Sequence, residues 1–294
     1  MKKFFILLNL YPTILISCNI AEAVDNFGSY KKQGYTCNSI ISEKSSLSQK
    51  SSVHIQNFNI ISAEELFQKI QKNFNSSVLV IDTRPLIDFN KYSIENSLNM
   101  SAEGIQTKNY WKEREIYLIG GDKFDLPLLA VADRLHETGF TNVKVVAGGI
   151  NAWINKGLPV IGNPPNANQL VQLSPQDIWM SRKDPTALYI LDSDYEQFAK
   201  FFDHSLVLNN ISVKNLNKDI QGYQNFQPKM KLSKVYLLTN STNIDNLSIS
   251  EFNRYGLYTV FLFNSKPIFL SNHIENIDKL LAAKELGPKK PKCG

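Results

Sequence analysis

The stretch IYLIGGDKFDLPLL (116–129) holds the residues best placed to do chemistry. An apolar run climbs to Gly120 and Gly121, passes through Asp122, Lys123, Phe124 and Asp125, and drops into an apolar, helix-like segment. A strand-to-helix corner of this kind turns backbone N–H groups and a helix N-terminus toward one point, which suits a nucleophile or a bound anion. A second corner, KVYLLTNSTNI (234–244), presents Thr239, Asn240 and Ser241 in the same setting. Neither has a thiol, because the three cysteines stand at 18, 37 and 293. Hydroxyl chemistry would need a base, yet His54, His136, His204 and His273 are scattered, and surface or packing roles are their default reading. There is no His-x-x-x-His, no cysteine pair and no carboxylate cluster with ligand spacing, and the glycine pairs at 120–121 and 148–149 lack dinucleotide or phosphate-loop spacing. No metal and no cofactor is expected.

The flanking segments must position these corners. ISAEELFQKIQKNF (61–74) reads as a helix, with Ser62 as N-cap and Glu65 at capping-box spacing. VLVID (78–82) and IYLI (116–119) are continuous apolar strands of the kind buried on both faces. A helix around 126–139, a strand VKVV (143–146) and a helix INAWINKG (150–157) follow, with Trp153 expected in the core. Strands alternating with helices predict an α/β fold with parallel sheets flanked by helices.

NPPNANQ (163–169) breaks every pattern and reads as a boundary. Beyond it the chain starts again: LSPQDIWMSR (173–182) echoes ISAEELFQKI, LYILDSD (188–194) echoes VLVIDTR (78–84), and KVYLLTN (234–240) echoes EIYLIGGD (115–122). Asp82 and Asp192 lie 110 positions apart but Gly139 and Gly256 lie 117 apart, so an insertion of seven is expected within 209–231. Two copies of one unit is the economical reading, and 294 residues suit two domains.

The ends carry addresses. Lys2 and Lys3 precede the apolar stretch FFILLNLYPTILIS, the layout of a secretory signal. Residues 1–23 are read as that signal, with two competing ends: cleavage after AEA (21–23), or a lipobox-like LISC (15–18) that makes Cys18 the lipidated residue. Either end exports the protein, to a bacterial periplasm or to a membrane through lipid on Cys18. The polar stretch up to residue 57 is a flexible tether (24–57). Cys37 and Cys293 then form a disulfide between the tails or remain two unpaired thiols. The net charge of +5 comes from dispersed basic residues apart from the tail GPKKPKCG, so residues 284–294 are read as a solvated basic tail and no nucleic-acid partner is expected.

VLVIDTRPLIDFNKYSIENSLNM (78–100) resembles the opening of a rhodanese domain: a strand, Asp-x-Arg, an aromatic, then a small-residue passage ending in Asn. GFTNVKVVAGGINAWINKGLPV (139–160) resembles its end, where Gly148, Gly149, Ala152 and Trp153 match the family's spacing with one position fewer between. The second copy keeps Asp192, Phe198 and His204, has Asp194 in place of the arginine, and lacks the Gly-Gly-Trp ending. The resemblance implies two tandem rhodanese-like domains, each a parallel sheet flanked by helices: 58–162, a linker 163–170, and a degenerate 171–283. It also implies a persulfide-forming cysteine at the corner, a thiolate steadied by N–H donors. Counting back from Gly139 and Gly256 puts that position at Asp122 and Thr239, and the resemblance implies that the passage holding His204 lies close to the active face. Asp122, Lys123, Phe124 and Asp125, with Thr239, Asn240 and Ser241, become binding-loop candidates with no catalytic residue among them. The expectation is an exported, non-catalytic binding or scaffold module whose partner is a protein or a small anion of the cell envelope. The alternative is a sulfurtransferase or sulfur carrier using Cys37 or Cys293.

Overall fold

The computed structural model describes residues 59–72 and 78–286. The signal, the tether, Cys18, the Cys37–Cys293 pairing and the tail beyond residue 286 lie outside the described residues. In chain order the elements are β1 (Ile60–Ile61), α1 (Ala63–Lys72), β2 (Val78–Asp82), α2 (Leu86–Phe89), β3 (Tyr92–Ser93), β4 (Leu98–Asn99), α3 (Ala102–Gln106), β5 (Glu115–Ile119), α4 (Leu126–Glu137), β6 (Asn142–Val146), α5 (Gly149–Asn155) and β7 (Ile161–Gly162). They continue with α6 (Ala167–Leu170), α7 (Pro175–Ser181), β8 (Ala187–Asp192), a 3-10 helix (Ser193–Phe201), β9 (Ser205–Leu208), α8 (Leu216–Phe226), β10 (Lys234–Thr239), α9 (Asn246–Tyr255), β11 (Thr259–Asn264) and α10 (Pro267–Leu286).

The first sheet has the order β1-β6-β5-β2-β4, and every pairing in it is parallel. Its strands alternate between two buried faces. Ile116 and Leu118 of β5 pack with Ile105 of α3 and with Leu129, Ala132 and Leu135 of α4. Tyr117 and Ile119 pack with Leu66 of α1 and with Ile150 and Trp153 of α5. Burial on both sides is why these strands read as unbroken apolar runs. Trp153 is in the core as expected, its Nε1 donating to Pro159 O at 2.9 Å and its ring edge-on to Phe67.

The second sheet has the order β11-β10-β8-β9, also parallel. An isolated parallel bridge, Gln172 to Leu262, adds a further rung beside β11, where β1 stands beside β6 in the first sheet. One face packs Tyr189, Tyr236 and Phe261 against Ile178 of α7 and Leu270 of α10. The other packs Leu188 and Ile190 of β8, with Val235 and Leu237 of β10, against Leu216 and Ile220 of α8 and Ile249 of α9.

Both halves open with the helix signal read from sequence. Ser62 and Glu65 exchange backbone and side-chain hydrogen bonds at 3.1 Å, and Ser174 and Asp177 form the equivalent capping box of α7. The expected insertion within 209–231 contains α8. The boundary segment 163–170 is not bare linker, since Asn166 caps the short helix α6 within it. Helix α10 continues to Leu286, so the expected tail begins inside a helix. Among the described residues, no helix is long and apolar enough to cross a membrane.

Candidate functional site

The first corner is built where β5 ends. α5 clasps it: Ile150 N donates to Gly120 O at 3.0 Å, and Asn151 Nδ2 donates to Gly121 O at 2.6 Å. Gly148 and Gly149 reach this position with φ of 67° and 54°, a region that strains any residue with a side chain. A Cβ on Gly149 would also collide with the Gly120 carbonyl oxygen. Gly149→Ala should therefore lower the unfolding free energy by about 2–4 kcal/mol, a strained backbone plus a steric collision, as read by urea denaturation.

Between this corner and the β2–α2 turn lies a cavity of about 530 Å³, lined among others by Arg84, Asp88, Tyr92, Asp122 and Phe124. Arg84 lines this cavity, and its buried Nη1 has no hydrogen-bond partner among the described residues, while the rest of its guanidinium is engaged. Its Nε and Nη2 grip the Asp82 carboxylate at 3.0 and 2.7 Å, Nη2 also reaches Tyr92 O at 2.7 Å, and the guanidinium lies over the Tyr92 ring. Asn99 ties the same turn by donating to Asp82 O and Arg84 O. Asp122 is exposed at the mouth. Desolvation raises its carboxyl above the ordinary carboxylate value, Asp177's charge adds to the rise, and Lys123 opposes it. Lys123 itself lines a different cavity of about 560 Å³, with its Nζ 4.0 Å from Asp177.

Asp125 departs most from expectation. As a corner aspartate it reads as part of a solvated turn, but it is buried. It occupies the N-cap position of α4 without capping it. Its carboxylate instead accepts from Gly148 N at 3.0 and 3.2 Å and pairs with the fully buried Lys234. Lys234 also pairs with buried Asp184 at 2.7 Å, and Asp184 accepts from Thr186 N and Oγ1. Burial raises the Asp125 carboxyl and Asp184 adds to it, while Lys234 draws it down. The corner of the first half thus rests on the start of β10, and Tyr236 OH donates to Lys123 O at 2.7 Å beside it. Lys156 adds another tie, to Glu64 at 2.6 Å and to Gly256 O at 2.8 Å.

The second corner differs from the expected layout in register. Asp82 pairs with Ile119, while Leu191, the residue before Asp192, pairs with Leu238. Thr239 is therefore the counterpart of Ile119, not of Asp122. It is fully buried at the end of β10, whereas Asp122 stands three residues past the end of β5. The count slipped because α4 has 12 residues and α9 has 10, with a different turn after each: Gly139 adopts φ 95° and Gly256 does not.

Three backbone donors of the second corner are already engaged. Asn240 N donates to Asp192 Oδ2 at 2.8 Å, Ser241 N to Thr239 Oγ1 at 3.0 Å, and Asn243 N to Ser241 Oγ at 3.2 Å. In the first half, the carboxylate of Asp82 is consumed by Arg84. With Asp194 in the arginine's place, Asp192 keeps one oxygen on Asp194 N and turns the other onto the corner amide. The corner loop is neutral, but its cavity of about 240 Å³ is lined by Asp192 and Asp194. His204 lies before the first residue of β9, at the opposite end of the sheet from Thr239, with its Nδ1 3.4 Å from Tyr223 OH. The structure places Asp122, Phe124 and Asp125 on one cavity, Lys123 on a second, and Thr239, Asn240 and Ser241 on a third. Among the described residues, no cluster of three or more His, Cys, Asp or Glu side chains could hold a metal. Sequence reading missed Lys234 and Asp184, for which a lysine at the edge of an apolar run is the sole signal.

The family model of the rhodanese-like domain matches residues 62–156. Residues 62–156 are a rhodanese-like domain. Among solved structures, the chain is similar to the Alr3790 protein from Anabaena sp. (23% identity, covering 35% of this chain and 82% of that one, TM-score 0.31). It is also similar to a rhodanese-related protein from Thermoplasma volcanium (25% identity, 36% and 100% covered, TM-score 0.30). A thiosulfate sulfurtransferase from Pseudomonas aeruginosa is similar over 73% of this chain and 42% of its own, at 12% identity and TM-score 0.31. No curated protein matches.

Proposed function

We propose that this chain is an exported protein of the bacterial cell envelope that keeps a rhodanese-like scaffold without sulfur transfer and serves as a binding or scaffold module. Residues 171–283 are then a second, degenerate copy of the unit, a reading supported by the shared strand order of the two sheets. Processing at Cys18 attaches it to the membrane through lipid on that residue, and cleavage after Ala23 instead releases it into the periplasm.

One observation carries the reading: both corners are furnished with carboxylates where a thiolate and its anionic donor would meet. Asp88 and Asp122 line the first cavity, and Asp192 sits on the corner amide of the second. A thiosulfate dianion would meet repulsion at both. A protein partner fits this better than a small anion. Leu86 and Ile87 of α2 stand exposed at 60% and 69% between Pro85 and Asp88 of the first cavity rim, and apolar side chains of that size serve protein contacts. The test is thiosulfate:cyanide sulfurtransferase turnover of the full chain beside a variant with Cys18, Cys37 and Cys293 changed to serine. The two should be indistinguishable; turnover lost with the cysteines would sink the proposal.

A further inference from the structure

Five side-chain amides that the sequence spreads from residue 168 to residue 264 gather in one cleft beside the end of β11. Two cavities, of about 560 and 410 Å³, share Gln172 and Asn264 and so run together. Gln169 and Phe269 line the first, Asn168 and Asn246 the second. Asn168 and Gln169 come from α6, Asn246 opens α9, Asn264 ends β11, and Phe269 lies in the first turn of α10. The backbone holds Gln172 in place from both sides: Leu262 N donates to Val171 O at 2.8 Å, and Leu173 N donates to Leu262 O at 2.7 Å.

The charged groups on the cleft wall are already engaged. Lys123 Nζ stands 4.0 Å from Asp177, Asp177 accepts from Ser174 N and Oγ at 2.8 Å, and Asp245 caps α9 by accepting from Ser248 N at 2.8 Å. An ionic ligand therefore finds no free counter-charge among the described residues of the wall. The amides have capacity to spare. Asn264 Nδ2 donates to Ser241 O and Ile244 O, and Asn246 Nδ2 reaches Gln172 Oε1 at 3.5 Å. Each amide has a donor end and an acceptor end, so these bonds leave the opposite end of each group for a ligand. Asn168 Oδ1 is buried with no hydrogen-bond partner among the described residues, a cost that a ligand hydroxyl would remove. Phe269, 55% exposed, adds an aromatic ring to this otherwise polar wall. A sugar ring matches both features: its hydroxyls donate and accept as the amides do, and its C–H face packs on an aromatic ring. A peptide would look for a free strand edge, and the segment 171–173 already occupies that of β11. From this convergence we infer that the cleft binds a neutral saccharide.

The full chain is to be titrated calorimetrically with chitotetraose and with maltotetraose, neutral oligosaccharides with and without acetamido groups. Saturable binding of at least one is expected. Gln172 and Phe269 are exposed, so Gln172→Ala with Phe269→Ala leaves the core intact. That pair should weaken binding at least about tenfold, through loss of one hydrogen-bonding amide and one ring contact. Gln221→Ala with Phe226→Ala removes the same two kinds of group from the exposed side of α8 and should change binding less than about twofold. Failure of both sugars to bind, equal effects of the two double variants, or binding of tetraalanine in place of the sugars overturns the inference.

Discussion

Lys234→Met should lower the unfolding free energy by about 3–5 kcal/mol, because it leaves two buried carboxylates without their shared counter-charge. Asp125 and Asp184 are both buried, and Lys234 is fully enclosed between them. Methionine fills the space of the lysine stem but cannot answer either charge. Adding Asp125→Asn and Asp184→Asn to the methionine variant should restore part of the loss, since no uncompensated charge then remains. The pH dependence has a defined sign. Burial raises the Asp125 carboxyl above its ordinary value of 3.8, and loss of Lys234 raises it further. A carboxyl whose folded value exceeds its unfolded one weakens the fold as pH rises through the folded value, and that cost is absent below about 3.8. The gap between wild type and Lys234→Met should therefore be widest at neutral pH and close on acidification. Urea unfolding across a pH series measures both effects.

Arg84→Met should cost a similar amount, about 3–5 kcal/mol, because Asp82 would remain buried with its guanidinium partner gone. The Asp82 and Arg84 side chains are only 2% and 3% exposed, so solvent does not compensate the loss. The variant also removes the bond to Tyr92 O and the ring contact that hold the turn against the cavity. Arg84→Lys keeps the charge but not the two-pronged geometry, and it should recover only part of the stability. Guanidinium denaturation of the three proteins gives the ranking.

What the sequence disclosed follows its local signals. Ser62 with Glu65 marks a helix start within four residues, and the apolar runs of β2, β5, β8 and β10 need no partner to be recognised. The expected insertion of seven inherits the slip in the corner count: the strand register puts Ile119 37 positions after Asp82 and Thr239 47 after Asp192, a difference of ten. The short strands β1, β4 and β9 were not legible, since two to four residues carry too little periodicity. The corner register failed for a physical reason: an ungapped count cannot see that α9 is shorter than α4 and ends in another turn. Asp125 reads as a polar turn residue because its partner, Lys234, lies 109 positions away.

One side-chain difference distinguishes the two corners. At Asp82 the carboxylate is held away from the corner by Arg84; at Asp192, where Asp194 replaces that arginine, the freed oxygen covers the Asn240 amide. An internal carboxylate at hydrogen-bond distance outcompetes a dilute external anion because its entropy of association is already lost on folding.

The most direct measurement is an amide chemical-shift titration of the full chain with thiosulfate, read at Gly121 in the first corner and at Asn240 and Ser241 in the second. No saturable shift is expected at any of the three. A saturable shift at Gly121 or Asn240, with an accompanying cyanolysable sulfur on the protein, would contradict the picture of a first corner lined by carboxylates and a second whose amide is already covered by Asp192.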